Sequence, residues 1–238
     1  MSDLGEDQNE RTILVPAHRL NLEGTLGVPE RARGMVLFAH GSGSSRFSPR
    51  NRAVASVLRR AGLATLLLDL LSPSEEEEDL VTRHLRFDIP LLAGRLVNAI
   101  EWLAVEPRTA DLAIGMFGAS TGGGAALVAA AARPQRVSAV VSRGGRPDLA
   151  GDALPNVRAP TLLLVGERDH LVIRLNEQAR SQMSAEVQLV IVPGATHLFE
   201  EPGTLEEVSL RARDWFLAHL HSSAAHSTHG PGGATRGR

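Results

Sequence analysis

Short apolar runs alternate with segments of helical periodicity through the middle of this chain. The runs are dominated by Val, Leu, Ile and Ala, a composition typical of strands that are buried on both faces of a sheet. They lie at 35–39, 64–70, 112–117, 137–141, 161–165 and 187–192. Because strands that alternate with helices usually pair in parallel, the pattern predicts an α/β fold with a mostly parallel sheet flanked by helices.

The same pattern predicts a single domain over residues 12–220. Residues 11–17 and 20–28 predict an antiparallel pair that opens this domain. We expect residues 1–11 and 221–238 to be tails, and the second to be disordered, because it is rich in His, Ser, Thr, Gly and Arg and has little to bury. Its histidines could bind a metal, although terminal histidines seldom have a function. They are His221, His226 and His229.

Three polar signals mark helix starts. Ser48 followed by Pro49 predicts a capped helix, Asp88 precedes apolar residues spaced three and four apart, and the Thr204-x-x-Glu207 pattern predicts a capping box for the last helix. The acidic run 75–79 invites a metal site, but consecutive carboxylates point in different directions and cannot easily converge on one ion. We therefore interpret that run as a solvated loop or a helix start.

Composition excludes several classes of function. The net charge is −2, so there is no basic field for nucleic acid. The acidic N-terminus does not resemble a signal peptide and no apolar run has the length of a membrane span, so we expect a cytoplasmic protein without a membrane partner. The chain has no Cys and all its basic residues are Arg. This excludes disulfides, a thiolate nucleophile, a Schiff-base lysine and a Walker-type phosphate loop.

The most informative segment is Gly118-Ala119-Ser120-Thr121-Gly122, which lies between an apolar run and an Ala-rich helical segment. A serine in such a strand-to-helix turn is held in a strained conformation, and the flanking glycines let helix and strand approach closely. The turn predicts an exposed nucleophilic Ser120. A plain helix cap or a phosphate-binding turn are the alternatives, although the turn lacks the G-x-G-x-x-G spacing and any Lys.

A nucleophilic serine needs a histidine base and an acid that orients it. Asp169 follows the run 161–165 and His197 follows the run 187–192, so each lies at the carboxyl end of a predicted strand, as Ser120 does. Parallel strands place these ends at one edge of the sheet, where the three side chains can converge. Two neighbouring acids, Glu167 and Asp148, remain alternatives for the orienting role.

The loop after the first parallel strand reads His40-Gly41-Ser42-Gly43 and is expected to supply part of an oxyanion hole. We assign its two donors to the backbone N–H groups of Ser42 and Thr121. His40 is expected to shape this loop, and His84 either lines the cleft or lies on the surface. Arginines near the predicted cleft could pair with a substrate carboxylate or could simply be surface residues. They are Arg86, Arg143 and Arg146.

Together these residues resemble the α/β-hydrolase family, and the compact chain is similar to its dienelactone-hydrolase-like members. The resemblance covers about residues 12–220 and rests on the strand and helix order, His40-Gly41, the turn around Ser120, Asp169 and His197. It implies Ser120 as nucleophile, His197 as base and Asp169 as orienting acid. Dienelactone hydrolase itself has a cysteine nucleophile, so the serine in this chain favours a general carboxylesterase over a lactone hydrolase.

The expected activity is hydrolysis of a small carboxylic ester through an acyl-enzyme, with no cofactor or metal. Residues 142–160 are too few for the helical lid that capped hydrolases insert there, so no cap domain is expected. Thioesterase, acyltransferase, perhydrolase or lactone hydrolase activity would use the same side chains. A non-catalytic ligand-binding protein of the same fold is the alternative from a different class.

Overall fold

The structure of this protein is a computed structural model, and it describes residues 10–220. Eight strands form one sheet: β1 (Glu10–Ala17), β2 (Leu20–Gly27), β3 (Met35–Ala39), β4 (Ala64–Leu68), β5 (Ile114–Ala119), β6 (Val137–Arg143), β7 (Thr161–Gly166) and β8 (Val187–Val192). Six α-helices flank it: α1 (Pro49–Arg60), α2 (Pro73–Thr82), α3 (Ile89–Leu103), α4 (Thr121–Ala132), α5 (His170–Gln182) and α6 (Thr204–His219). Two 3-10 helices span Leu85–Phe87 and Pro147–Asn156.

The strand order is β1-β2-β4-β3-β5-β6-β7-β8. β1 and β2 pair antiparallel with each other, as do β2 and β4, and the remaining pairs are parallel. The predicted α/β architecture is therefore confirmed. β3, β5, β6, β7 and β8 all present their carboxyl ends to one edge, the edge at which open α/β sheets bind ligands.

Two apolar layers hold the sheet between the helices. In β3, Met35 and Leu37 face the layer with α3 and α4, whereas Val36 and Phe38 face the layer with α1 and α6. Neighbouring residues of a strand point to opposite faces, so an uninterrupted apolar run is what a sheet covered on both sides requires. This explains why β3, β4 and β7 are buried along their whole length.

Residues 142–160, for which no lid was predicted, contain a short helix that packs against the core. The 3-10 helix Pro147–Asn156 buries Ala150 and Leu154 in the same apolar layer as α4. A side chain committed to this core is not available to cover the cleft. Residues 147–156 therefore pack against the core and do not form a lid.

Several boundaries differ from those predicted. β1 begins at Glu10, inside the segment 1–11 that was predicted to be a tail, and β5 runs from Ile114 to Ala119, two residues later than the predicted run 112–117. Residues 1–9 and 221–238 of the predicted tails, including the three terminal histidines, lie outside the described residues. Strand limits depend on hydrogen bonds to neighbouring strands, which local composition does not reveal.

The capping box predicted for the last helix is wrong. Gly203 is the N-cap of α6, and the Thr204 hydroxyl donates to the Glu201 carbonyl at 2.8 Å. A capping box occurs instead at the start of α2, where Ser72 accepts from the Glu75 backbone N–H and Glu75 accepts from the Ser72 N–H. The acidic run therefore begins a helix, the second of the two interpretations given for it.

Candidate active site

Ser120 lies at the sharp turn between β5 and α4. Its backbone has φ 49° and ψ −123°, a conformation that costs a residue with a side chain about 1–3 kcal/mol. Three hydrogen bonds hold it there: the Ser120 N–H donates to the Arg143 carbonyl at 3.2 Å, and the Ser120 carbonyl accepts from the N–H groups of Gly123 at 2.9 Å and Arg146 at 3.0 Å. The turn lifts the hydroxyl out of the sheet at its carboxyl edge.

Two glycines make this turn sterically possible. A Cβ added to Gly118 would lie 2.5 Å from the Gly123 Cα, and one added to Gly122 would lie 2.5 Å from the His40 carbonyl oxygen. Real Cβ atoms do not approach backbone atoms so closely. The first turn of α4 can therefore lie against β5 and the end of β3 only because both positions lack a side chain.

We expect Gly122→Ala to destabilise the protein by about 2 kcal/mol or more, because the backbone around His40 would have to move. For a chain of this size the melting temperature would fall by about 5 °C or more. Gly94→Ala is the matched control, since Gly94 lies in the interior of α3 with nothing within 4 Å of an added Cβ. That variant should be stabilised by up to about 1 kcal/mol. Equal melting temperatures for the two variants would contradict the steric argument.

The structure brings Ser120, Asp169 and His197 together. His197 Nε2 lies 3.3 Å from the Ser120 Oγ, and His197 Nδ1 lies 2.6 Å from Asp169 Oδ2. The short contact to the carboxylate indicates that Nδ1–H donates to Asp169, which leaves Nε2 free to accept the hydroxyl proton. The arrangement can remove a proton from the serine in the step that makes its oxygen a nucleophile.

The loops that carry the acid and the base are tied to each other. A Cβ on Gly166, at the end of β7, would lie 2.5 Å from the Ala195 carbonyl oxygen, so this glycine permits close contact of the two loops. The Arg168 N–H donates to the same carbonyl at 2.9 Å. Of the alternative acids, Glu167 accepts from the Gly194 N–H at 2.7 Å and Asp148 pairs with Arg146. Asp169 is therefore the carboxylate that contacts His197.

Of the two residues predicted to supply the oxyanion hole, Thr121 directly follows the nucleophile and Ser42 lies in a loop that approaches it. Thr121 is the first residue of α4, and Ser42 lies in the loop after β3, whose Gly41 would place an added Cβ 3.1 Å from the Ser120 Cβ. Among the described residues, no protein acceptor occupies either N–H group. Two free donors, one at the start of α4 and one in the adjacent loop, are suited to stabilise a developing oxyanion.

His40 holds this loop against the segment that follows β4. Its Nε2 accepts from the Leu70 N–H at 3.0 Å and its Nδ1–H donates to the Gly41 carbonyl at 2.9 Å. Burial lowers the pKa of His40, and the acceptor role of Nε2 requires the neutral ring. The imidazole therefore braces the segment that contains Ser42. His84, in contrast, is exposed and contacts the Thr82 hydroxyl.

A cavity of about 280 Å³ adjoins the loop after β3. Its walls combine that loop with apolar side chains and with residues from α2 and the segment after it: His40, Gly41, Ser42, Gly43, Ser44, Ser45, Leu70, Leu71, Glu76, Asp79, Leu80, Arg86 and Leu92. Gly41 is common to the cavity wall and to the surroundings of Ser120. The cavity thus lies next to the Ser120 turn, although Ser120, Asp169 and His197 are not among the residues that line it.

Sequence reasoning did not identify the α2 part of this wall. Asp79 ends the acidic run that was interpreted as a solvated loop or a helix start, yet it is buried, and Leu80, which follows the run, borders the cavity. The Ser72-x-x-Glu75 pattern was the signal available, because a capping box predicts a helix with one face turned inward.

The three arginines considered for a substrate carboxylate differ in their surroundings. Arg86 Nε donates to Asp79 at 2.5 Å and Arg146 donates to both oxygens of Asp148 at 2.7 and 2.8 Å, so a carboxylate already neutralises each. The Asp148 contacts raise the pKa of Arg146. Arg143 is buried and lies against the Phe117 ring.

Comparison with known proteins over most of the chain agrees with the α/β fold described above. The dienelactone hydrolase family model matches residues 24–221. The chain is 61% identical to a dienelactone hydrolase from Anabaena variabilis ATCC 29413, whose crystal structure matches with a TM-score of 0.88 over 89% of this chain and 98% of that one. Est1E from Butyrivibrio proteoclasticus matches at 17% identity with a TM-score of 0.73, over 87% of this chain and 98% of that one, and shares the fold.

Two curated relatives come from Mycobacterium tuberculosis, strains CDC 1551 / Oshkosh and ATCC 25618 / H37Rv, and their names describe them as candidate phosphoribosyl transferases. Each is 59% identical over 211 residues, which are 89% of this chain and 47% of the relative. The chain therefore spans about half the length of these two proteins. None of the helices described here is long and apolar enough to cross a membrane. With the family model matching most of its length, this chain belongs to the dienelactone hydrolase family and has the α/β-hydrolase fold.

Proposed function

We propose that this protein is a serine hydrolase that cleaves small carboxylic esters through an acyl-enzyme. The observation that carries the proposal is the continuous contact from the Ser120 hydroxyl through the His197 imidazole to the Asp169 carboxylate, at the ligand-binding edge of the sheet. A hydroxyl with an adjacent base and an orienting acid is the arrangement that nucleophilic catalysis by serine requires.

In the first half of the reaction, His197 Nε2 takes the proton of Ser120 while Oγ attacks the ester carbonyl. The backbone N–H groups of Ser42 and Thr121 donate to the resulting oxyanion, and Asp169 stabilises the imidazolium. His197 then gives its proton to the alkoxide, the carbon–oxygen bond to the alcohol breaks, and an ester to Ser120 remains. In the second half, His197 activates water, which releases the acid and restores Ser120.

Membership in the family supports hydrolysis in general, and the site supports the narrower choice of esters. Thioesterase, acyltransferase and lactone hydrolase activity would use the same nucleophile with a different leaving group or acceptor. Phosphoribosyl transfer, the activity in the name of the mycobacterial relatives, is not proposed, because this chain covers 47% of those proteins and no observation at the site favours it. A non-catalytic pocket would have no need for a free base beside Ser120.

Covalent labelling tests the proposal. A fluorophosphonate probe is expected to add one phosphonyl group to the peptide that contains Ser120, measured by mass spectrometry, because only an activated serine displaces fluoride. Ser120→Ala should lose the label, whereas Ser181→Ala, which changes an exposed serine of α5, should keep it. An unlabelled wild-type protein, with no turnover in a screen of acetate, butyrate and decanoate esters, lactones and thioesters, would show that the site is a binding pocket.

A further inference from the structure

Arg143 is the last residue of β6 and lies beside the nucleophilic turn. It is paired in register with Ala119, and its carbonyl accepts the Ser120 N–H at 3.2 Å. The next residue, Gly144, borders the base, since a Cβ added to it would lie 3.5 Å from His197 Nδ1. The Arg143 backbone thus lies next to the nucleophile, and the residue after it lies next to the base.

The Arg143 guanidinium is buried without a partner. The residue is 8% exposed, Nη1 is fully buried, and across residues 10–220 no carboxylate or carbonyl oxygen accepts from this side chain. Its nearest described support is the Phe117 ring, 5.9 Å from the guanidinium carbon. Native proteins pair nearly all buried charges, because an unpaired buried ion loses its hydration without compensation.

A second arginine makes the local excess of positive charge larger. Arg50, in the first turn of α1, has a buried Nε with no acceptor, while its Nη1 donates to the largely exposed Glu200 at 3.0 Å. Burial, together with repulsion from the Arg50 charge, lowers the pKa of Arg143 to about 10. Each of the two guanidiniums therefore has a buried nitrogen without an acceptor among the described residues, and the exposed Glu200 pairs with Arg50 alone.

We propose that Arg143 and Arg50 form a binding site for a small oxyanion of the carboxylate or phosphate class. Planar guanidinium groups match the paired oxygens of such anions, and each has donors left unused by the protein. A water molecule would accept from these donors but would leave the repulsion between the cations in place. The anion comes either from the substrate's own carboxylate or from a free ion in solution.

This pair differs from the other arginines near the cleft. Arg86 and Arg146 are each neutralised by an aspartate, so an additional carboxylate there would have to compete with one already in place. An anion that binds Arg143 would not have to displace a carboxylate of the described part of the protein. A substrate with an acidic group would therefore be recognised on the β6 side of Ser120.

Thermal unfolding with free anions is the first arm of the test. Sodium acetate or sodium phosphate, compared with sodium chloride at the same ionic strength, is expected to raise the melting temperature by about 3 °C when the anion is near ten times its Kd. Arg143→Met should abolish the shift. Arg136→Met should keep it, because Arg136 is exposed just before the opposite end of the same strand. If Arg143→Met does not fold, Arg50→Met serves, with a weakened shift expected.

Matched esters form the second arm and identify the source of the anion. If the substrate supplies it, Arg143→Met lowers kcat/KM for 4-nitrophenyl hemiglutarate at least tenfold more than for the uncharged 4-nitrophenyl pentanoate. If a free ion supplies it, the two esters respond equally and the thermal shift is present. No anion-dependent shift together with equal responses would overturn the proposal. If the proposed hydrolase function is wrong, the wild type will turn over neither ester. The anion-dependent shift in melting temperature then tests the anion site by itself.

Discussion

Replacing Ser120 by alanine is expected to lower kcat for ester hydrolysis by about 10⁶-fold, the scale seen when serine hydrolases lose their nucleophile. The attacking oxygen disappears, so an acyl-enzyme cannot form, and His197 has no hydroxyl to deprotonate. The rate that remains comes from the oxyanion donors and from positioning of the ester. Because neither depends on the hydroxyl, substrate binding should be retained. The measurement is single-turnover hydrolysis of a short 4-nitrophenyl ester.

Ser142→Ala is the control for this substitution. Ser142 is buried in β6, the neighbouring strand, and its hydroxyl has no hydrogen-bond partner in the part of the chain that the structure describes. Loss of this hydroxyl should change kcat by less than a few fold, while circular dichroism and melting temperature confirm that both variants fold. If folded Ser120→Ala keeps more than about a tenth of the wild-type rate, the nucleophile is another residue.

Removal of the base should cost nearly as much as removal of the nucleophile. We expect His197→Ala to lower kcat by about 10⁵- to 10⁶-fold, and Asp169→Asn by about 10⁴-fold, because the asparagine still contacts the ring but favours the wrong tautomer. The Ser120→Ala/His197→Ala double variant should be scarcely slower than either single one, since a base without its nucleophile contributes little. His170→Ala, an exposed histidine next to Asp169, is the matched control and should leave kcat unchanged.

The pattern of the double variant decides whether these residues act as a unit. Effects that multiply, so that the double variant is slower than either single variant by many further orders of magnitude, would mean that Ser120 and His197 act independently. That outcome would contradict the proton transfer inferred from the 3.3 Å contact.

Prediction from the sequence was most accurate where a feature is local or follows from topology. The Ser120 turn could be recognised because its glycines are required by contacts of the turn itself with the adjacent strand and helix. Asp169 and His197 could be placed near it because the carboxyl ends of parallel strands share an edge. Ser48 could be identified as a cap because its side chain accepts from Asn51, three residues further along the same helix.

Prediction failed where one segment competes for several partners. Thr204 and Glu207 have the spacing of a capping box, but Thr204 lies inside α6 and bonds to Glu201. The acidic run was assigned no defined face, because neither the Arg95 contact of Glu75 nor the Arg86 contact of Asp79 can be inferred from its composition. In each case, the observed conformation is stabilised by a contact with a residue outside the motif.

The sequence by itself therefore determined the fold class, the strand and helix order, and which serine, acid and histidine lie at one edge of the sheet. The fold class and the order of elements depend on hydrophobic periodicity, and the shared edge depends on strand topology. Both can be inferred from the amino-acid sequence. Only the tertiary structure decided which charges are neutralised. The three arginines Arg86, Arg143 and Arg146 cannot be distinguished by residue type. Two of them contact an aspartate, whereas the third is buried near the Phe117 ring and its Nη1 has no acceptor among the described residues. Coulomb energy and desolvation depend on distances in space and on burial, and no pattern along the chain contains either quantity.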